Sequence, residues 1–190
     1  MQSNRRTRGF TLVELMVVVV ILGVLAVLAL FAYRKYTTAA RNSEAVQFIG
    51  AIRAAEESYF QSFGQYCGTP AGVLNPVGNV PFDTKAAWDP PANSPWKALG
   101  VQSPGRVWFQ YYLAAGRAGE QPADNPSPFL NGEIANRPWY WVGACSDFNG
   151  NGQASVCGPA FSNDNLVGAK LSFFEANSLR GEVVSHHEGE

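Results

Sequence analysis

Glu14 is the only carboxylate in a long apolar run near the start of the chain. Residues 15–32 that follow it contain no polar side chain. A carboxylate at the centre of a bilayer costs roughly 2.5 to 3.5 kcal/mol on insertion scales, and somewhat less near the end of a span. Two interpretations follow from the residues alone. Glu14 is either a functional acid with a partner of opposite charge, or an interfacial side chain that reaches water.

The three cysteines, Cys67, Cys145 and Cys157, allow one disulfide in three ways and leave one thiol over. Cys145 and Cys157 bracket a turn-rich stretch, where a local bridge is worth about 3 kcal/mol in an oxidising compartment. We predict this pairing, with Cys67 as the spare thiol at the exit from a helix. Three buried thiols are the alternative.

Residues 147–152 match the first half of a calcium loop, with Asp147, Asn149 and Asn151 at alternate positions and a glycine for the turn. The twelfth position of that loop is Gly158, so the bidentate glutamate is missing. An Asx/Gly turn between the two cysteines is therefore favoured over calcium binding, and we predict no metal site.

No other group of side chains forms a catalytic pattern. His186 and His187 are adjacent near the end of the chain, where neighbouring side chains of a strand point apart, which favours solvated histidines. The chain has no nucleophile elbow, no His-Glu-x-x-His and no phosphate loop, so we expect neither an enzyme nor a cofactor. The formal charge of -1 indicates no basic surface for nucleic acid.

The elements that position Glu14 begin with a polar leader, residues 1–9, which contains three arginines. Residues 10–33 form a run of 24 residues that would rise about 36 Å as a helix, enough to cross a hydrocarbon core of about 30 Å. A cleaved secretory signal has a shorter apolar core. We therefore predict a retained transmembrane helix with its basic leader in the cytoplasm.

The basic leader joins the apolar run through Arg8, Gly9, Phe10, Thr11, Leu12, Val13, Glu14 and Leu15. This junction resembles the prepilin signal shared by type IV pilins, minor pilins and the pseudopilins of type II secretion. The resemblance implies that a prepilin peptidase cuts between Gly9 and Phe10 and methylates the new amine of Phe10. It also implies that Glu14 pairs with the N-terminal amine of a neighbouring subunit during filament assembly, which would offset the penalty of the buried acid.

One residue departs from the pattern of that family. Phe31 stands where many pilins have proline, and proline removes a helix hydrogen bond whereas phenylalanine does not. We expect an unbroken helix here, which mildly favours a minor or specialised subunit.

Beyond the span, residues 34–63 become amphipathic, and Gly64 is a plausible stop. We predict one helix over residues 10–63. Its apolar stripe comprises Val46, Ile49, Ile52, Ala55 or Glu56, Tyr59, Phe60 and Phe63. The head, residues 64–190, opens with a Pro- and Gly-rich loop over 66–105, with a short helix near 84–88.

Strand patterns follow at residues 106–114, 139–145, 170–174 and 182–184. Aromatic residues alternate on both faces, so we expect one face to meet the helix and the other to meet loops or a neighbour. The fold class is α+β, a pilin-like long helix packed on an antiparallel sheet.

The function implied is a structural subunit, major or minor, of a type IV pilus that supports adhesion or motility. The implied partners are the prepilin peptidase, other pilin subunits and an inner-membrane assembly platform. The protein would be a single-pass inner-membrane protein before it enters an extracellular pilus. A pseudopilin in a periplasmic piston is the main alternative, and a membrane-anchored sensor or enzyme is a remote one.

Overall fold

The computed structural model describes residues 10–78, 84–122, 136–147, 172–179 and 181–186. The chain divides into two compact units, Met1–Thr37 and Thr38–Glu190. A long helix, α1 (Leu12–Phe63), contributes to both. It begins two residues later than the apolar pattern predicts, because Thr11 caps it, and it ends as predicted before Gly64.

The first unit contains the apolar part of α1. The helix continues through Phe31 without interruption, as expected for a segment that lacks proline. Its large apolar side chains are exposed on all sides, and none of the most apolar stretch is buried. Among the described residues, α1 is the one helix long and apolar enough to cross a membrane. A helix that is apolar all round needs lipid or other helices around it.

In the second unit, α1 buries a narrow stripe. The buried side chains recur at alternating steps of three and four residues: Asn42, Ala45, Ile49, Ile52 and Glu56. The predicted stripe is wrong at two residues that are not buried: Val46 is 42% exposed and Phe63 is 65% exposed. Val46 follows Ala45 by one residue, about 100° around the helix, and so lies beside the buried line.

The head is built on one antiparallel five-stranded sheet in the order β1-β2-β3-β4-β5. All neighbouring strands are consecutive in the chain and antiparallel. The strands are β1 (Val73–Asn75), β2 (Gln110–Gly116), β3 (Trp139–Ser146), β4 (Ser172–Asn177) and β5 (Val184–His186). This arrangement confirms the predicted α+β class.

The predicted strand positions are approximately correct, with the second, third and fourth strand patterns overlapping β3, β4 and β5. The pattern at 106–114 begins too early, because β2 starts at Gln110. Val107 instead forms an isolated bridge with Ala86.

Two predictions for the loop over 66–105 are wrong. The helix near 84–88 does not form, since Ala86 is extended and bridged to Val107. A four-residue helix, α2 (Pro95–Ala98), forms later, where Pro95 occupies its first turn. The strand β1 also lies in this loop, and three residues are too few to show an alternating pattern.

One face of the sheet packs against α1 in a continuous apolar core. Its strand residues pair across the ladder, as Tyr111 does with Ala144 and Leu113 with Val142. The helix supplies Ala45, Ile49 and Ile52, and the loops supply Trp96, Val101 and Val107. Packing of the helix against the pleated sheet thereby buries apolar side chains of both elements.

The opposite face of the sheet is also buried, and loops contribute to its cover, as the aromatic pattern predicts. Tyr112 donates its hydroxyl to Ala71 O at 3.1 Å, and the Gln110 amide donates to Pro76 O at 2.7 Å. The Trp139 indole donates to Glu120 O at 2.8 Å. The described loops therefore satisfy polar groups that this face would otherwise bury without partners.

Candidate functional site

Glu14 lies in the first turn of α1, where it forms a reciprocal cap with Thr11. The Glu14 carboxylate accepts hydrogen bonds from the Thr11 backbone N–H at 3.0 Å and from the Thr11 hydroxyl at 2.9 Å. The Glu14 backbone N–H donates to the Thr11 hydroxyl oxygen at 3.2 Å. This Thr-x-x-Glu capping box satisfies two backbone donors that the end of a helix leaves without partners.

The sequence prediction assigned Glu14 to assembly and missed this cap, although the spacing of Thr11 and Glu14 is its signature. Both bonds from Thr11 go to the same carboxylate oxygen, Oε2. The second oxygen, Oε1, has no partner in the described part of the chain. A carboxylate held in this way is fixed in position and can still accept a further donor.

Phe10 is described just ahead of the helix, and its side chain is 81% exposed. Gly9, the other residue of the expected cleavage site, lies outside the described residues. The structure therefore places Phe10 directly ahead of the capping box that Thr11 and Glu14 form at the exposed N-terminal end of α1.

The cysteines are in two different environments. Cys67 is a free, buried thiol, and Cys145 is disulfide-bonded. Cys145 is on the face of the sheet away from α1, opposite Phe173 of β4. Cys157 lies outside the described residues, so its pairing with Cys145 stays a prediction.

The calcium-like segment and the histidines are described only in part. Asp147 is buried at the end of β3, and residues 148–152 lie outside the described residues. His186 ends β5, and His187 is not among the described residues. Within the described ranges, no group of three or more His, Cys, Asp or Glu side chains could hold a metal ion.

Glu56 is a buried carboxyl that the sequence prediction noted only as an alternative to Ala55 in the stripe. Its Oε2 accepts the backbone N–H of Cys67 at 2.8 Å, while Oε1 is buried without a partner. Burial raises the pKa of Glu56 to about 8, opposed by the hydrogen bond from the Cys67 N–H and assisted by the nearby charge of Glu57. A neutral carboxyl here joins the end of α1 to the loop that leaves it.

A second polar group joins α1 to the loop before β2. Glu44 accepts the backbone N–H of Trp108 at 2.6 Å through Oε1 and pairs with Lys85 at 3.3 Å through Oε2. The Arg41 guanidinium lies 4.0 Å from the centre of the Trp108 ring. Sequence patterns miss this group because its members are up to 67 positions apart.

Comparisons with known proteins agree with the position of this N-terminal site. The family described as "Prokaryotic N-terminal methylation motif" matches residues 4–30. A type IV major pilin of Neisseria gonorrhoeae is 40% identical over 78 residues, which cover 40% of this chain and 36% of that protein. A type IV pilus subunit protein of Aeromonas hydrophila is 45% identical over 69 residues, which cover 36% of this chain and 49% of that protein.

A fimbrial protein of Neisseria meningitidis serogroup B is 43% identical over 72 residues, which cover 37% of this chain and 42% of that protein. The matched part of this chain thus spans less than half the length of these curated relatives. No solved structure matches.

Proposed function

We propose that this chain, whose N-terminal segment is that of the type IV pilin family, is a structural subunit of a type IV pilus. The observation that carries the proposal is the methylation motif over residues 4–30, which runs directly into the exposed apolar part of α1. The named relatives are pilus proteins, and their similarity supports a structural subunit over an enzyme.

In this proposal a prepilin peptidase removes residues 1–9 and methylates the amine of Phe10. The span over residues 10–33 holds the subunit in the inner membrane, with residues 34–63 and the head outside the cytoplasm. The three leader arginines support that orientation, because basic residues favour the cytoplasmic side.

Assembly then brings the apolar surfaces of α1 from several subunits together. The amine of Phe10 from one subunit would approach the Glu14 carboxylate of its neighbour. The cap geometry supports this role, because Thr11 holds Glu14 in place while Oε1 remains able to accept a donor. In an apolar surrounding, such a pair offsets the cost of burying each charge alone.

Adhesion and motility are the proposed roles of the filament, and the inner-membrane assembly platform is a proposed partner. A pseudopilin of type II secretion would share the same N-terminal segment. The pilus names of the relatives, together with a head that carries a disulfide at Cys145, favour the pilus.

The test is to shear surface filaments from the native host and identify their subunits by mass spectrometry. A pilus subunit is expected among the sheared filaments, and deletion of its gene should alter filament number, adhesion or twitching. Recovery only from the periplasm, with loss of protein secretion on deletion, would assign the chain to a pseudopilus. Recovery only as a membrane monomer would contradict both filament roles.

A further inference from the structure

A cleft of about 380 Å³ lies in the second unit, between the loop that follows α1 and the end of β2. Pockets that bind small molecules have volumes of roughly 300 to 1,000 Å³, so the cleft is large enough for a small ligand. The side chains that matter to its chemistry are Gln65, Tyr66, Pro70, Ala115, Arg117 and Glu120. We call it the Arg117 cleft.

The walls of the Arg117 cleft are held by close backbone packing. The Ala115 N–H donates to Thr69 O at 3.2 Å, which joins the loop to β2. A Cβ added at Gly68 would lie 2.9 Å from the Cβ of Ala115, and one added at Gly116 would lie 2.7 Å from the Trp139 ring. Because the two walls meet without room for a further side chain, the cleft is formed before any ligand enters.

Two opposite charges line the cleft and are not paired with each other. The Glu120 carboxylate accepts the Arg117 backbone N–H at 2.7 Å through Oε2, and Arg117 Nε donates to Gln65 Oε1 at 3.2 Å. Within the described residues, these contacts leave both Nη groups of Arg117 and Oε1 of Glu120 without a protein partner. Both side chains are exposed, so a ligand can reach them.

This charge pattern discriminates between classes of ligand. An anion would be attracted by Arg117 and repelled by Glu120, and a cation would meet the reverse. A small dipolar ligand can satisfy both charges at once. The planar guanidinium suits a carboxylate, whereas the Glu120 carboxylate suits an ammonium group. Tyr66, Pro70 and Ala115 supply apolar atoms to the remaining lining, which favours an apolar group on the ligand.

We propose that the Arg117 cleft binds a free α-amino acid with an apolar side chain, its carboxylate at Arg117 and its ammonium at Glu120. Gln65 orients the guanidinium, because it accepts from Nε and leaves the Nη groups for the ligand. Exposure of both charges makes the binding weak and dependent on salt. The site goes beyond the filament role and does not depend on it, since all its residues belong to the second unit.

The experiment titrates L-leucine into the isotope-labelled full chain in detergent micelles at neutral pH and follows the backbone amide shifts. N-acetyl-L-leucine, which lacks the cation, and L-leucinamide, which lacks the carboxylate, are titrated in parallel. We expect each analogue to bind about fivefold more weakly than L-leucine, the effect of losing one partly exposed ion pair. The shifts should appear at Gly68 and Arg117 and be absent at Arg106, which precedes the opposite end of β2.

Variants of the two charged residues should give a crossed pattern. Arg117→Gln should weaken L-leucine binding by about fivefold and bind L-leucinamide at least as well as L-leucine. Glu120→Gln should remove the preference for L-leucine over N-acetyl-L-leucine, while its amide oxygen can still accept the Arg117 N–H. The matched control is Arg106→Gln, which removes an exposed cation outside the cleft and should bind L-leucine as the parent does.

The comparison of the three ligands needs the parent protein alone, so it decides the proposal even if a variant does not fold. Absence of shifts at the cleft would overturn the proposal, as would either analogue binding as tightly as L-leucine. An equal loss of L-leucine binding in Arg106→Gln and Arg117→Gln would also refute it. Each of these failures would leave the pilus role intact, because the sheared-filament test does not involve the Arg117 cleft.

Discussion

At the scale of single residues, Glu14 has two possible tasks that differ in the property of the side chain they use. The cap at the start of α1 uses hydrogen-bond acceptance from Thr11, which a neutral amide can also provide. Pairing with the amine of Phe10 from a neighbour requires negative charge. A substitution that keeps the hydrogen-bond acceptor but removes the negative charge therefore distinguishes the two roles of Glu14.

We expect both Glu14→Val and Glu14→Gln to be processed normally and to enter filaments poorly. Each would leave the partner amine buried without a counter-charge, a defect of roughly 3 to 5 kcal/mol by analogy with broken buried pairs. The measurement is the ratio of subunit in sheared filaments to subunit in membranes, determined by immunoblot.

Thr11→Val is the control, because it removes the hydroxyl of the cap and keeps the carboxylate. It should enter filaments better than either Glu14 variant. If Glu14→Gln assembles as well as the parent, Glu14 acts only as a helix cap and the ion pair is not required.

Glu56 predicts a dependence of stability on pH. Its pKa of about 8 in the fold exceeds the ordinary value of 4.5, so between these values unfolding releases a proton. Stability from this group is fully present below pH 4.5, falls as pH rises towards 8, and then levels, with a total of up to roughly 5 kcal/mol.

Glu56→Gln should flatten that dependence, because an amide mimics the neutral carboxyl at all pH values. The measurement is the thermal unfolding midpoint of the full chain in detergent from pH 5 to 8.5. Glu182→Gln, at an exposed position, is the matched control and should keep the parental slope. A Glu56→Gln variant with an unchanged slope would show that Glu56 is ionised in the folded protein.

At the scale of elements, the loop before β1 can approach the sheet closely because Gly72 has no side chain. Gly72 has φ +70°, and a Cβ at this position would collide with the ring of Tyr112 in β2. The Tyr112 hydroxyl also bonds Ala71 O at 3.1 Å, so the ring cannot move aside without loss of that bond. Glycine is thus required here by both backbone conformation and space.

We expect Gly72→Ala to destabilise the head by about 2 kcal/mol or more, since strain and collision combine. Gly50→Ala is the control, because Gly50 lies in α1 and an added Cβ there would meet nothing within 4 Å beyond its chain neighbours and the adjacent backbone of the helix. It should stabilise the helix by up to about 1 kcal/mol. The measurement is the thermal unfolding midpoint of each variant in detergent. Equal midpoints for Gly72→Ala and Gly50→Ala would contradict the packing described at Tyr112.

The end of β3 carries the disulfide of Cys145, and we predict that its partner is Cys157. The loop between them would then be closed independently of α1 and of Cys67, which is a free thiol. Non-reducing peptide mapping should find a Cys145–Cys157 peptide and an unpaired Cys67. A Cys67→Ser variant should give the same bridged peptide, and a bridge that contains Cys67 would refute the pairing.

At the scale of the whole molecule, we propose that the subunit is first inserted in a membrane and later assembled into a filament. Both states would use the apolar surface of α1. The same exposed side chains would meet lipid first and other subunits later. In this proposal, processing at the N-terminus would come before both proposed uses of Phe10 and Glu14. Its outcome is therefore the first property to establish on purified protein.

We predict that the mature protein begins with N-methylated Phe10. Intact-mass and N-terminal peptide analysis of membrane-extracted protein should show the loss of residues 1–9 and one added methyl group. Gly9→Ala should be processed in part, and a bulky residue at Gly9 should accumulate precursor. An intact leader, or a cut beyond Ala26, would refute the prediction.

The sequence by itself determined the basic segment over residues 1–9, the apolar run, the long helix and the position of Glu14 within it. These depend on hydrophobicity summed along the chain and on spacing within one or two helical turns, and both are properties of neighbours in sequence. The strands β3 and β4 were found for the same reason, since their aromatic and β-branched residues are contiguous.

Tertiary structure alone decided the features that depend on distant neighbours. Ala86 is extended because Val107 pairs with it, β1 exists because β2 offers an edge, and Val46 is exposed because the sheet covers the adjacent line of α1. Glu56 becomes a neutral group only when the fold buries it, and the Cys67 N–H that then bonds its carboxyl comes from 11 residues further along the chain. The energy of each feature comes from contacts across the fold, and local propensity does not contain that information.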